Sequence, residues 1–294
     1  MTEKKLYSQN QIKKVDNHIN KPIGIFDSGL GGLTVFEEIT KLLPNESIIY
    51  VGDTARVPYG TKSKSVVIKF SLQIIRFLIK KNVKMIIVAC NTASAYALDE
   101  CKKIFPVPII GVIDSGIKCA LLKTKNKKIG VIGTEATIKS QIYPKLIKQK
   151  DKSIKIYSQA CPLFVPIIEE GWFDISHRKI INLVAEEYLS PLKKFRIDTL
   201  ILGCTHYPII RDIIYDIMGK NVEIISSAKT VAKETKYILE QKKLITTSIA
   251  NPRYTFYVTD DSNKFISLAK RFIIEKNVIL PTKNNTKVID IEKY

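Results

Sequence analysis

LILGCTHYP (200–208) and IIVACNTAS (86–94) are the two stretches whose reading decides the fold. Each is an apolar run that stops at a cysteine, Cys204 or Cys90, and passes at once into polar residues. Those are Thr205 and His206 in one, Asn91 and Thr92 in the other. Continuous apolar runs without polar alternation predict strands covered on both faces, as in parallel sheets. A cysteine at the carboxyl end of such a strand sits where ligands bind in open α/β sheets. If a helix follows, its dipole and free N–H groups favour the thiolate. Asn91, Thr92 and Thr205 are of the types that cap helices. Either cysteine alone is as well explained as a small buried hydrophobe; two in equivalent contexts weigh against that explanation.

Outward from these stretches, strand and helix alternate from residue 22. PIGIFD (22–27), SIIYVGD (47–53), KMIIVAC (84–90), VPIIGVID (107–114) and KKIGVIGT (127–134) read as strands, as do IKIYSQAC (154–161), DTLILGC (198–204), VEIISS (222–227) and YTFYVTD (254–260). Between them lie helical patterns such as Leu33, Phe36, Ile39 and Leu43, stopped by Pro44, and Val67, Phe70, Ile74 and Phe77. So many strands exceed a typical open sheet. The expectation is two doubly wound, mainly parallel α/β domains, duplicated about a pseudo-twofold and facing an active-site cleft. The boundaries expected are a polar extension at 1–21, a first domain of 22–113 plus 227–294, and a second of 114–226.

Composition narrows the classes. The chain has 294 residues, 45% of them hydrophobic, enough for a full core. No run approaches the roughly 18 apolar residues of a membrane span, and residues 1–21 lack a secretory apolar segment. Five cysteines, an odd number without CxxC spacing, argue for a reducing, cytoplasmic setting and against a disulfide framework. Cys204 and His206 are half a metal site with no second close pair, so no metal is expected. The net charge of +19 comes mostly from lysines spread over helices and loops. Arginine is sparse and aromatics are not interleaved, so a solvated lysine surface is favoured over a nucleic-acid interface. Such a field also draws in a small anionic substrate.

Other strand-to-helix turns carry candidate site residues. DSGLGGL (27–33) sets Asp27 and Ser28 at the mouth of a glycine-rich turn that is neither a Walker A loop nor a dinucleotide fingerprint. DTARVPYG (53–60) offers Tyr59 and Gly60 in a turn that ordinary turn chemistry also explains. GTEATIKSQIY (133–143) resembles an anion-binding helix start with Thr134 and Thr137. ACPLFVPIIEEGW (160–172) ends in Glu169 and Glu170, a position where acids are usually solvated. A hydrolase needs one nucleophile and a base, and a dithiol oxidoreductase needs thiols close enough to bond. A cofactor-free racemase needs two acid/bases on opposite faces of an α-carbon, one thiolate and one thiol.

DSGLGGL, PYG, ACNTAS, IGTEATIKSQIY, ACPLFVPIIEEG and LGCTHYP, in this order, resemble the motifs of the glutamate racemases of the aspartate/glutamate racemase superfamily. The likeness runs from about residue 22 to about residue 230. It implies two α/β domains with the active site between them, and no cofactor. It implies Cys90 and Cys204 as catalytic acid/bases, Cys90 serving D-glutamate and Cys204 L-glutamate. Asp27 and His206 would assist them, with Glu169 a further acid. Asp27, Ser28, Tyr59, Gly60, Asn91, Thr92, Thr134, Thr137, Thr205 and His206 would bind glutamate. The D-glutamate made would feed peptidoglycan. Asp114-Ser115-Gly116 departs from the family's usual Pro-Gly or Pro-Ala at that helix start. The N-terminal extension matches in length a subgroup activated by a UDP-muramyl-alanine precursor. A monomer or homodimer is expected, with no membrane and no nucleic-acid partner. The competing readings are a sister racemase for aspartate or hydantoins, a pyridoxal phosphate enzyme with a Schiff-base lysine, and a nucleic-acid binder.

Overall fold

The β-branched runs pair side by side in a computed structural model that describes residues 18–174, 176–248, 250–275 and 277–294. The described strands are β1 (Ile23–Asp27), β2 (Ile48–Gly52), β3 (Met85–Val88), β4 (Ile109–Gly111), β5 (Lys128–Gly133), β6 (Lys155–Ala160), β7 (Thr199–Gly203), β8 (Glu223–Ser226), β9 (Tyr254–Val258) and β10 (Thr286–Val288). They form a six-stranded sheet, β10-β9-β2-β1-β3-β4, and a four-stranded one, β6-β5-β7-β8. Every pairing is parallel. The second order is the first's β2-β1-β3-β4 advanced by four strands, so the duplication lies in topology. What the first sheet adds is β9 and β10 beyond its β2 edge.

Side chains alternate across each sheet because the strand period is two. Ile23 and Ile25 of β1, with Met85 and Ile87 of β3, pack with Leu33, Phe36 and Ile39 of the helix Leu33–Leu42. Phe26, Ile86 and Val88 face the other way, toward Val67, Ile74 and Phe77 of the helix Lys64–Lys80. In the second sheet Leu200 and Leu202 join the first of these clusters, while Ile129, Val131 and Ile201 build a separate one. Burying each such side chain contributes about 1.5–3 kcal/mol. The helix Ser227–Gln241 packs against both Leu33–Leu42 and Val112–Lys123, tying the two lobes.

Two strand expectations are corrected. VPIIGVID stops as a strand at Gly111, which begins the helix Val112–Lys123, so Asp114-Ser115-Gly116 lies inside that helix. Val112 and Ile113 are buried, and a buried helix start prolongs an apolar run as smoothly as a strand does. The three-residue β10 was not foreseen; Lys287 and Val288 are exposed, which leaves no pattern to read. Most of the extension at 1–21 lies outside the described residues. Its last part is held by Lys84, fully buried, whose Nζ donates to the main-chain oxygens of Ile19 at 2.6 Å and Leu244 at 2.7 Å and pairs with Glu46 at 2.5 Å. A lysine buried so deeply is tolerable because two carbonyl oxygens accept from it and Glu46 supplies the opposite charge.

Candidate active site

The carboxyl ends of β1, β3, β5 and β7 converge between the lobes. Cys90 follows β3 and Cys204 follows β7, the equivalent strand of the other sheet. Both border one narrow cavity of about 30 Å³. Ser28, Tyr59, Gly60, Asn91, Thr92, Thr134, Thr205 and His206 share its wall. Pro58, Gly60, Thr134 and Val165 also border an adjoining, more open cavity of about 300 Å³ that runs out past Pro162, Pro166 and Glu169. Asp27 and Thr137 stand one layer behind the wall.

Cys90 is itself the N-cap of the helix Asn91–Tyr96, its Sγ accepting from the Ala93 N–H at 3.5 Å. The cap is therefore the cysteine and not Asn91 or Thr92, which are the first two helical residues. Burial and then the charge of Asp27 push the Cys90 thiol up to about 12, against the pull of the Ala93 N–H and the Ser28 hydroxyl. Asp27 is fully buried, and that burial raises its carboxyl above the usual range. The charge of His206 and the N–H groups of Gly29 and Gly32 work the other way. Asp27 Oδ2 accepts from the Gly29 N–H at 2.9 Å, and Oδ1 from the Thr205 hydroxyl at 3.4 Å.

Cys204 stands differently. No α-helix starts at Thr205; a 3-10 turn, Tyr207–Ile210, comes first, and the helix Arg211–Met218 only after it. Thr205 caps nothing. The partner of Cys204 is His206, whose Nδ1 lies 3.7 Å from Sγ and whose Nε2 lies 2.9 Å from Glu169 Oε1. Burial pulls the imidazole down, but Cys204 and Glu169 outweigh it and push it up to about 10. Glu170, its neighbour, is exposed.

Hydroxyls and amides line the space between the thiols. Thr92 of the first lobe and Thr134 and Thr137 of the second form a triangle, with Oγ1 separations of 2.9, 3.1 and 3.0 Å. Asn91 Oδ1 accepts from the Tyr143 hydroxyl at 2.8 Å, while its buried Nδ2 has no partner. A buried donor left free costs about 1–3 kcal/mol unless an acceptor arrives, and a substrate carboxylate is such an acceptor. Tyr59 is different from what its place in PYG suggests. Its hydroxyl donates to Asp53, so its one side-chain proton is not free to donate to a ligand.

Two contacts escaped sequence reasoning. Tyr143 lies inside the quoted IGTEATIKSQIY motif, but only the fold brings it to Asn91. The glycines of DSGLGGL serve close packing: a Cβ on Gly31 would stand 2.3 Å from Thr205 Oγ1 and 2.4 Å from His206 Nδ1. The helix this loop starts reaches the same turn, where the Thr34 hydroxyl donates to the Thr205 carbonyl oxygen at 3.0 Å. Among the described residues no cluster of three His, Cys, Asp or Glu is arranged to hold a metal ion.

Residues 23–235 match the family model described as Asp/Glu/Hydantoin racemase. The glutamate racemase of Geobacter metallireducens is 45% identical over 253 residues, 86% of this chain and 93% of that protein. That of Sulfurihydrogenibium sp. is 46% identical over 253 residues, 86% of this chain and 94% of that one. Among solved structures, the glutamate racemase of Francisella tularensis in complex with D-glutamate is 42% identical with a TM-score of 0.85, covering 94% of this chain and all of that one. A glutamate racemase isoform from Bacillus anthracis is 38% identical with a TM-score of 0.86, covering 93% and 98%. With that match over most of the chain, and two cysteines at equivalent strand ends of a duplicated fold, the protein belongs to the Asp/Glu/Hydantoin racemase family.

Proposed function

We propose that this amino-acid racemase interconverts L- and D-glutamate by two-base proton transfer between the sulfurs of Cys90 and Cys204, without a cofactor. One observation carries the reading. Thiols from topologically equivalent strands border a single cavity, each backed by its own carboxylate: Asp27 behind Cys90, and Glu169 behind Cys204 through His206.

From L-glutamate, the Cys204 thiolate takes the α-proton and the electron pair stays on the α-carbon. Cys90, held as a thiol by burial and by Asp27, gives its proton to the opposite face. The roles exchange in the reverse direction. His206 relays the proton of Cys204, and Glu169 stabilises the imidazolium. The free Asn91 amide and the hydroxyls of Thr92, Thr134 and Thr205 draw charge from the substrate α-carboxylate as the carbanion forms, with Thr137 bracing them. The Ser28 hydroxyl accepts from the ammonium group, with the Asp27 carboxyl behind it, and the backbone of Tyr59 and Gly60 closes the outer side.

The site then lies between a first domain of 22–113 plus 227–294 and a second of 114–226. D-Glutamate made this way supplies peptidoglycan, in the cytoplasm, from a monomer or homodimer. Among the described residues no helix is long and apolar enough to cross a membrane. The test is pure protein with L-glutamate in D₂O, following circular dichroism and loss of the α-proton together. Racemisation with deuterium uptake, lost in both Cys90→Ser and Cys204→Ser, is the expected result. No exchange, even with a UDP-muramyl-alanine compound present, would remove glutamate as the substrate; aspartate would be tried next.

A further inference from the structure

Glu169 and His206 stand on the second lobe, yet two consecutive residues of the first lobe hold them. Arg271 Nη1 donates to the main-chain oxygen of Glu169 at 2.6 Å. The Phe272 ring, fully buried, meets the His206 imidazole edge-on, with centroids 5.3 Å apart and planes at 87°. The chain leaves Glu169 through Gly171 at φ +78°, where a Cβ would come within 2.8 Å of Arg271 Cζ. That conformation suits glycine and lets the backbone lie against the guanidinium.

The segment carrying the two side chains is itself fixed. The N–H groups of Phe272 and Ile273 donate to the Ala269 oxygen at 3.0 and 3.1 Å. Those of Ile274 and Glu275 donate to Glu37 Oε1 at 2.8 and 2.7 Å. Glu37 lies on the helix whose Thr34 binds the Thr205 carbonyl. The first lobe thus grips the Cys204 turn from one side and the Glu169–His206 pair from the other.

We infer that Arg271 and Phe272 are positioning residues for the proton path at Cys204: Arg271 holds the end of the Glu169 helix and Phe272 the plane of the imidazole. The inference rests on the two-thiol reading above. His206 makes two contacts in one plane, toward Cys204 through Nδ1 and toward Glu169 through Nε2. Turning the ring or withdrawing the helix end breaks one of them, and misplacement of this kind raises the barrier to proton transfer. Cys90 has no comparable contact from this segment among the described residues, so the effect belongs to one half of the reaction.

The test uses the full chain, with Arg271→Ala, Arg271→Lys and Phe272→Leu beside Glu169→Gln. Primary deuterium isotope effects are measured on racemisation of each α-deuterated enantiomer. The two enantiomers are equally stable, so kcat/KM must fall equally in both directions whatever the cause; the isotope effects need not move together. For Arg271→Ala we expect kcat/KM to fall about tenfold, the loss of one charge-assisted hydrogen bond. The isotope effect should rise for the enantiomer deprotonated by Cys204 and drop for the other, in the same sense as Glu169→Gln. Arg271→Lys should recover most of the activity, since an ammonium can still donate to the carbonyl. Phe272→Leu should shift the effects in the same sense but less. Unchanged activity in Arg271→Ala, or a loss of activity with both isotope effects unmoved, would overturn the inference. If Glu169→Gln shows the asymmetry and Arg271→Ala does not, only the positioning role falls. If Glu169→Gln is symmetric too, the Glu169–His206 line has no part at Cys204 and the positioning inference falls with it, while the two-thiol reaction stands or falls with Cys90→Ser and Cys204→Ser.

Discussion

Behind β3 the chain enters a helix at once and Cys90 Sγ caps it; behind β7 it makes a 3-10 turn and Cys204 acquires a histidine instead. The strands are topologically equivalent, and the proton environments are not. Cys90 has a buried aspartate and a high-lying thiol, whereas Cys204 has an imidazole that is itself held by Glu169. Duplication of the strand order brings two sulfurs to the border of one cavity, as the proposed removal and return of a proton on opposite faces requires. The neighbours of each sulfur then differ: Asp27 at the end of β1 for Cys90, and His206 held by Glu169 for Cys204. Backbone symmetry and chemical asymmetry are thus set by different parts of the sequence.

The comparison breaks most visibly at the two assisting groups. Asp27→Asn and His206→Asn should each lower the racemisation rate about a hundredfold, within the range of general acid–base contributions. Their isotope effects on the two enantiomers should shift in opposite senses, and shifts in the same sense would show that the two sides are not separately equipped. Close packing gives the next largest effect. Gly31→Ala drives a Cβ against Thr205 and His206 and should destabilise the fold by about 1–3 kcal/mol, as overpacking does, read from urea midpoints. Gly60→Ala meets only Thr134, at 2.7 Å from its Cβ, and should cost less. A further effect separates the two sites by pH. His206 lies near 10 in the folded chain against an ordinary 6.5, so its stabilisation is complete below about 6.5 and is lost as pH rises toward 10. Cys90 lies near 12 against an ordinary 9.0, so its share is lost only above pH 9, in a window it shares with Cys101. Urea titrations at stepped pH should show His206→Asn flattening the first window and Cys90→Ser lowering the slope in the second.

Strands covered on both faces were the most legible feature, because their sequence is a plain apolar run with turn residues at each end. The same plainness misled at Val112 and Ile113, where a buried helix begins without any change of character. Cys90, Cys204, Asp27, Asn91 and Thr92 were legible as candidates from their place at strand ends. Glu169 was not legible from local pattern: its helix end looks solvated, and only the fold swings it to His206. The Tyr143–Asn91 bond and the threonine triangle link the lobes across long stretches of chain, which no short-range pattern can display. The expectation that Thr205 caps a helix failed because His206 and Pro208 lead into a tighter turn.

The first sheet is completed by β9 and β10, which come after the whole of the second sheet in the chain. During synthesis the four strands of the second sheet are all available before the first can gain its last two. The wall that carries Arg271 and Phe272 is made later still than β9. A ribosome that stops between Cys204 and Arg271 therefore releases a chain with both cysteines present and the Cys204 side unbraced. Since domains fold as units while they emerge, completion of the cleft waits for Arg271 and Phe272, well after both cysteines. The topology so delays assembly of the cleft until long after its two sulfurs have been made.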